Sequence, residues 1–208
     1  MNLDNTQENN AAVLRTRLRA ERQQLPDADR RRGALLMRGR LFTWLAMRRD
    51  ADAAAQRPGP QVIAAYWPMA DEPDLRPLLE QWCAAGLTVA LPIVTKKNAP
   101  LTFRAWTPDT PMQTGAYGIA EPQNTAVVTP DVLLVPTLGY TDQADRLGYG
   151  GGYYDRTLAA LRDQGHPYTA IGIAWGCGHI DDADYQPAPH DMRLDAVLTP
   201  EAWIPSPP

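Results

Sequence analysis

The residues best equipped for chemistry lie together at 146–155, where Arg146 and Leu147 lead into Gly148, Tyr149, Gly150, Gly151, Gly152, Tyr153, Tyr154 and Asp155. Without side chains, the glycines let backbone N–H groups come close to a ligand. The pattern after Gly152 predicts a helix over 153–162. The unpaired N–H groups and positive dipole end of such a helix favour phosphate. Arg146 adds a permanent charge on a planar fork that matches phosphate oxygens. No Lys-Ser/Thr pair follows the glycines, so this is not a Walker A loop, and Tyr153 stands where a dinucleotide fingerprint needs glycine. On chemistry alone the segment reads as an anion cradle or as a glycine-rich turn shaped only by chain geometry.

A second concentration of charge precedes it. Residues 14–49 hold eleven arginines against Glu21, Asp27 and Asp29, in a chain whose net charge is −4. Leu14, Leu18 and Leu25 recur at helical spacing up to Pro26 and predict a helix over 11–25. Arg15, Arg19 and Arg22 form a stripe roughly a quarter turn from those leucines. Such asymmetry fits nucleic acid, a polyphosphate ligand or a solvated helix face. His166, His179 and His190 show no metal-ligand spacing and read as structural or exposed. No Ser-His-Asp or Cys-His pattern is readable, which disfavours a covalent enzyme intermediate. Cys83 and Cys177 lack C-x-x-C spacing, arguing against a disulfide scaffold or a zinc site and for a reducing compartment.

Several elements must position these residues. A second helix is expected over 29–48, with Leu35, Leu36, Leu41, Phe42 and Leu45 inward, followed by a surface connection at 50–60. Strands are expected over 62–67, 87–93, 101–106, 132–138, 169–175 and 196–199, with a helix over 73–85 and a loop over 139–145. The alternation predicts an α/β fold: a single layered domain with a mixed, mostly parallel twisted sheet and helices on both faces, Rossmann-like. Ligands in such sheets bind beyond the carboxyl ends of the strands. At 208 residues one domain is expected, spanning 11–205 after a disordered leader at 1–10. The leader has neither the basic start nor the apolar core of a secretory signal, and no apolar run approaches the ~18 residues of a membrane span. A cytoplasmic protein without a membrane partner is the expectation.

The run Arg-Leu-Gly-x-Gly-x-Gly-Tyr-Tyr-Asp at 146–155, after a strand and the aromatic Tyr140, resembles the signature of the 5-formyltetrahydrofolate cyclo-ligase family (5,10-methenyltetrahydrofolate synthetases). Further blocks resemble that family in order and spacing: Leu14-Arg15 with its basic helix, residues 66–72 (Tyr-Trp-Pro-Met-Ala-Asp-Glu), residues 117–122 (Tyr-Gly-Ile-Ala-Glu-Pro) and residues 190–199. The resemblance covers approximately 11–200. It implies ATP and Mg2+ as cofactors and 5-formyltetrahydrofolate, with or without a polyglutamate tail, as substrate. By similarity, Arg15 and residues Arg146, Leu147, Gly148, Tyr149, Gly150, Gly151, Gly152, Tyr153 and Tyr154 hold ATP, and Asp155 and Asp191 hold the metal. Trp67, Glu72, Tyr117, Tyr149 and Tyr153 surround the folate, and Arg146 and Glu72 carry the catalytic roles. A monomer with no nucleic-acid partner is implied.

Ala11 stands where many relatives have lysine, and Tyr149 and Gly151 stand where some have a basic residue. Two other readings remain at this point. One is a different α/β enzyme acting on a phosphorylated small molecule, with no need of ATP. The other is a non-catalytic module whose basic helix binds RNA or a partner, with a steep salt dependence that the acidic remainder opposes.

Overall fold

Along the segment Val132–Pro136, side chains alternate between two cores: Val132 and Leu134 face one, Leu133 and Val135 the other. A strand apolar on both faces must lie inside a sheet covered on both sides. The computed structural model describes the backbone of residues 3–208 and the side chains from residue 10 onward. In chain order, α1 (Leu3–Gln23) and α2 (Asp27–Ala54) precede β1 (Val62–Ala64), α3 (Arg76–Ala84), β2 (Thr88–Ile93) and β3 (Thr102–Trp106). Short strands β4 (Met112–Thr114), β5 (Ala120–Pro122) and β6 (Val127–Val128) lead to β7 (Val132–Pro136) and a small hairpin, β8 (Gly139–Tyr140) with β9 (Arg146–Leu147). Then come α4 (Tyr153–Asp163), β10 (Thr169–Ile173), β11 (Ala196–Leu198) and β12 (Trp203–Ile204).

The main sheet has eight strands in the order β12-β11-β10-β7-β1-β2-β3-β6. From β11 to β2 the pairings are parallel; β12, β3 and β6 are antiparallel additions at the two edges. On one face α2 and α3 bury Met37, Leu41, Trp44, Leu45, Leu78, Leu79 and Trp82 against the sheet. On the other, Leu158 and Leu161 of α4 pack on Leu133, Val135 and Ala170. The expected α/β architecture, a mostly parallel sheet with helices on both faces, is the observed one.

Helix α1 packs on neither face. Leu14 and Leu18 join Leu138, Leu147, Ile180 and Tyr185 in a third cluster at the carboxyl end of β7. Gly139 permits this approach, since a Cβ there would stand 2.6 Å from Leu18 and 2.7 Å from Ile180. One helix flank is thereby pinned by leucines, and its neighbouring arginine flank is set beside the loop that follows β9.

Several expectations need correction. Residues 3–10, expected as a disordered leader, belong to α1, while Met1 and Asn2 lie outside the described residues. No Gly or Pro interrupts this stretch, so the helix nucleated by Leu14 and Leu18 propagates backwards, and Asn10 donates to the Asp184 carbonyl at 2.9 Å. Helix α2 runs on to Ala54, into the expected connection, because Asp52 turns inward and is held by Arg48 at 3.1 Å and Arg57 at 2.7 Å.

The inward face of α2 also differs. Leu41 and Leu45 are buried as expected, but Leu35 and Phe42 are 61% and 50% exposed and Leu36 is largely open, while Ala34, Met37 and Trp44 point inward. Two apolar stripes compete on this helix, and Gly33 decides between them. A Cβ there would lie 2.8 Å from the Trp175 ring and 2.9 Å from Pro200, so only the glycine-bearing face can approach so closely. Strand β1 is shorter than expected: Ala65 still donates to Ala90 at 2.9 Å, but the chain then leaves the ladder before Pro68.

Candidate active site

A cavity of about 1430 Å³ opens beyond the carboxyl ends of β1, β2 and β7. Single-ligand pockets commonly measure about 300–1,000 Å³, so this one has room for two reactants. Its walls come from α1, the chain after β1, the 116–121 turn, the glycine segment and the 185–191 turn.

The glycine segment is built by the hairpin. Pairing of Tyr140 with Arg146 and Gly139 with Leu147 sends the Leu147 side chain into the cluster under α1. Leu147 is therefore a fully buried core residue and does not line the cavity, unlike every other member of 146–155. Gly150 (φ +93°) and Gly152 (φ +62°) occupy the left-handed region, which glycine alone enters without strain. Gly152 is also the residue from which α4 starts. Arg146 folds back over Gly148 so closely that any Cβ there would strike its guanidinium.

The charges come next. Arg146 Nη2 donates to Asp155 Oδ2 at 2.8 Å, with both side chains buried. The guanidinium lies 5.8 Å from the Tyr154 ring centre, and its Nε is shut off from solvent with no protein partner. Asp155 Oδ1 accepts from Met192 N at 3.3 Å, which fastens the first turn of α4 to the turn carrying Asp191. Asp191 Oδ2 accepts from Ala188 N at 2.8 Å and from Tyr185 Oη at 3.4 Å. Both carboxylates face the one cavity. Asp155 is thus a first-turn acid and Asp191 a turn-capping acid, and both line the cavity. Arg15 Nε donates to the Gly148 carbonyl at 2.9 Å, so the N-terminal helix grips the glycine segment.

On the same cavity wall, Glu72 is buried at the end of the turn that begins at Met69. Burial raises its carboxyl above the ordinary glutamate range, while the Tyr149 hydroxyl, the Met69 N–H and Arg22 oppose that rise. Trp67 stands edge-on to Trp106, with the Arg76 guanidinium 5.3 Å from its ring centre. Tyr117 sits at φ +61°, 71% exposed, and its hydroxyl is 2.9 Å from that of Tyr153. Arg156 lies 5.2 Å from the Tyr153 ring centre and donates to the Gly151 carbonyl. Apart from Leu147, every residue expected to hold ATP, folate or metal lines this cavity.

Sequence reasoning missed some of its members. Arg22 is buried, donating to Asp71 Oδ2 at 2.8 Å and to Tyr149 Oη at 2.5 Å; the Arg15-Arg19-Arg22 stripe was the available signal. Glu121, inside the matched 117–122 block, is a buried carboxylate that accepts from Val94 N at 3.1 Å. The Cβ-free Gly115 makes room for it. His166 and His179 stay peripheral, bonding the Pro130 carbonyl and pairing with Asp142, while the exposed His190 lines the cavity beside Asp191. Among the described residues no group of three or more His, Cys, Asp or Glu side chains could hold a metal ion. The pair of carboxylates suits instead a hard cation that takes its remaining ligands from phosphate and water.

The model of the 5-formyltetrahydrofolate cyclo-ligase family matches residues 7–200. A 5-formyltetrahydrofolate cyclo-ligase of Mycolicibacterium smegmatis is 31% identical over 92% of this chain and 94% of its own. One from Escherichia coli K12 is 32% identical over 68% of this chain and 79% of its own. The fold is shared with Aquifex aeolicus 5,10-methenyltetrahydrofolate synthetase, at TM-score 0.70 and 23% identity over 93% of this chain and 91% of that one. A Mycoplasma pneumoniae 5,10-methenyltetrahydrofolate synthetase gives TM-score 0.67 at 22% identity over 91% and 98%. With a family match running through the glycine segment, the acidic turn after β1 and the Asp191 turn alike, the chain belongs to the 5-formyltetrahydrofolate cyclo-ligase family.

Proposed function

We propose that this protein converts 5-formyltetrahydrofolate and ATP to 5,10-methenyltetrahydrofolate, ADP and phosphate, with magnesium held by Asp155 and Asp191. The observation that carries the reading is a single cavity large enough for two reactants, lined by the glycine segment, Asp155 and Asp191 together with Trp67, Glu72 and Tyr117.

The formyl oxygen is a poor leaving group and the amide carbon a poor electrophile. Transfer of the γ-phosphoryl group to that oxygen gives an imidate-like phosphate; N10 of the folate then attacks the activated carbon, and phosphate leaves as the ring closes. Phosphoryl transfer needs mainly alignment and charge stabilisation. Magnesium supplies charge neutralisation at the phosphates when bound. The N–H groups at the start of α4 and the guanidinium groups of Arg146 and Arg15 serve the same oxygens. Two charges ~4 Å apart are worth about 4 kcal/mol at an effective dielectric near 20, so an enclosed Arg–phosphate pair outweighs a solvated one. Arg146 lines the cavity, and its guanidinium is a fitting partner for an anion bound there. Trp67, Tyr117 and Tyr153 offer flat walls to the pterin, while Glu72 orients its polar edge or the formyl end. Holding the reactants in line contributes on the order of 7–11 kcal/mol.

Absorbance of the methenyl product, followed with and without ATP and with and without magnesium, tests the reading. Product should form only when both are present. Turnover without ATP would point to an enzyme acting on an already phosphorylated substrate, and no product at all would remove the assignment.

A further inference from the structure

Glu72 does not stand alone at the cavity wall. Its Oε2 accepts from Met69 N at 2.8 Å, and its Oε1 accepts from the Tyr149 hydroxyl at 2.5 Å. That hydroxyl in turn accepts from Arg22 Nη1 at 2.5 Å. Arginine has donors only, so the direction of the chain is fixed: the guanidinium occupies a lone pair of the phenol, and the phenolic proton goes to the carboxylate. The other edge of Arg22 is held by Asp71 Oδ2 at 2.8 Å, and its guanidinium carbon lies 5.4 Å from the Tyr149 ring centre. Three segments far apart in sequence thus meet in one buried relay: α1, the turn after β1 and the glycine segment.

We propose that Arg22 and Tyr149 are positioning residues that hold the Glu72 carboxylate in one orientation toward the cavity. Each Glu72 oxygen has one protein donor and retains acceptor capacity for donors on a ligand. The partner this geometry fits is a heterocycle edge or amide bearing N–H groups. The functional consequence rests on the folate reading above; the relay itself rests on the contacts alone. Tyr149 and Arg22 act through Glu72 and need not touch substrate.

The relay also governs ionisation. Facing Glu72 are Arg22 from α1, Asp71 from its own turn, Tyr66 from the chain after β1, Tyr149 from the glycine segment and Tyr154 from α4. Burial favours the neutral acid, and Tyr149 and Arg22 work against it. Removing either one therefore raises the carboxyl further. A hydrogen bond to a charged group corresponds to a shift of about one pH unit or somewhat more.

The test uses the full-length protein with Tyr149→Phe, Arg22→Gln and Glu72→Gln. Carbon NMR of glutamate carboxyls, with the Glu72 resonance identified by its loss in Glu72→Gln, should show that carboxyl titrating about one unit higher in Tyr149→Phe and in Arg22→Gln. In parallel, the acid limb of kcat/KM for methenyl formation should move up by the same amount, with roughly a tenfold loss at pH below it. In a Glu72→Gln background, Tyr149→Phe should no longer move the acid limb, and its cost in kcat/KM should be smaller than in wild type, since the two residues act as one unit. Unshifted titration in both variants overturns the relay. So does an activity loss that is uniform in pH and persists undiminished in the Glu72→Gln background. Wild-type protein that makes no product while the carboxyl titration shifts as stated leaves the relay standing and removes the folate reading.

Discussion

Arg146 faces two demands that pull in opposite directions. The proposed function asks it to meet phosphate, yet its Nη2 is bound to the Asp155 carboxylate at 2.8 Å in a buried pair. Breaking such a pair by deleting one partner costs about 3–5 kcal/mol, because the other charge stays buried alone. Arg146→Ala is therefore expected to lower both stability and turnover, and stability alone cannot assign its role. Adding Asp155→Ala removes the stranded charge and should recover about half or more of the lost stability by denaturant titration. Activity should remain at least about a hundredfold down in both variants. Recovered activity in the double variant would make the pair a structural brace. Glu72 offers the converse case. Burial pushes its carboxyl above the ordinary range, so in the window between the unfolded and folded values the native state holds a proton that the unfolded chain has already released. Stability is lost as pH rises from the ordinary glutamate value, about 4.3, through the folded one. Glu72→Gln should consequently melt above wild type at pH 8, with the difference closing below about pH 4, while its turnover falls. Equal melting of the two proteins at pH 8 would contradict that cost.

At the scale of elements, α2 tests how burial is chosen. Its sequence carries Leu35, Leu36, Leu41, Phe42 and Leu45, and counting apolar residues alone puts all five inward. Only the stripe containing Gly33 can approach Trp175 and Pro200, so Leu41 is fully buried while Phe42 is half open. Leu41→Ala should cost about 2–5 kcal/mol in unfolding free energy. Phe42→Ala should stay within about 0.5 kcal/mol, although it removes the larger side chain. Reversed losses would put the helix in the other frame. The same helix marks the boundary of what was legible beforehand. Strands such as β7 and β10 were readable because both faces are apolar and their runs are continuous. The side of a helix that packs depends on a glycine meeting a tryptophan from far along the chain, and no local period carries that. The site divides in the same way. The glycine segment, Asp155 and Asp191 announce themselves by type and spacing. Arg22, Asp71 and Tyr149 become a unit only once α1 lies across the hairpin.

The whole molecule explains why α1 lies there. The helix buries Leu14 and Leu18 on a small cluster outside the two main cores, and it contributes Arg15 and Arg22 to the cavity. Among the described side chains its buried apolar ones are only Leu14 and Leu18, where α2 buries Ala34, Met37, Leu41, Trp44 and Leu45, so α1 is expected to open at lower free energy than the sheet. A ligand that binds only the closed arrangement stabilises it by RT ln(1 + L/Kd), where L is the free ligand concentration. If ATP with magnesium sits against the glycine segment, Arg15 and the carbonyl it grips are drawn into the same complex, and α1 is held more tightly. Amide hydrogen exchange should then slow for the later half of α1 when ATP and magnesium are added, by roughly tenfold per ~1.4 kcal/mol of coupling. Amides of β7 and β10, already protected by the sheet, should change little. Arg15→Ala should abolish most of the slowing in α1 while leaving protection in the first turn of α4. Protection confined to α4, with α1 unmoved by nucleotide, would instead make the N-terminal helix a cover that the ligand does not feel.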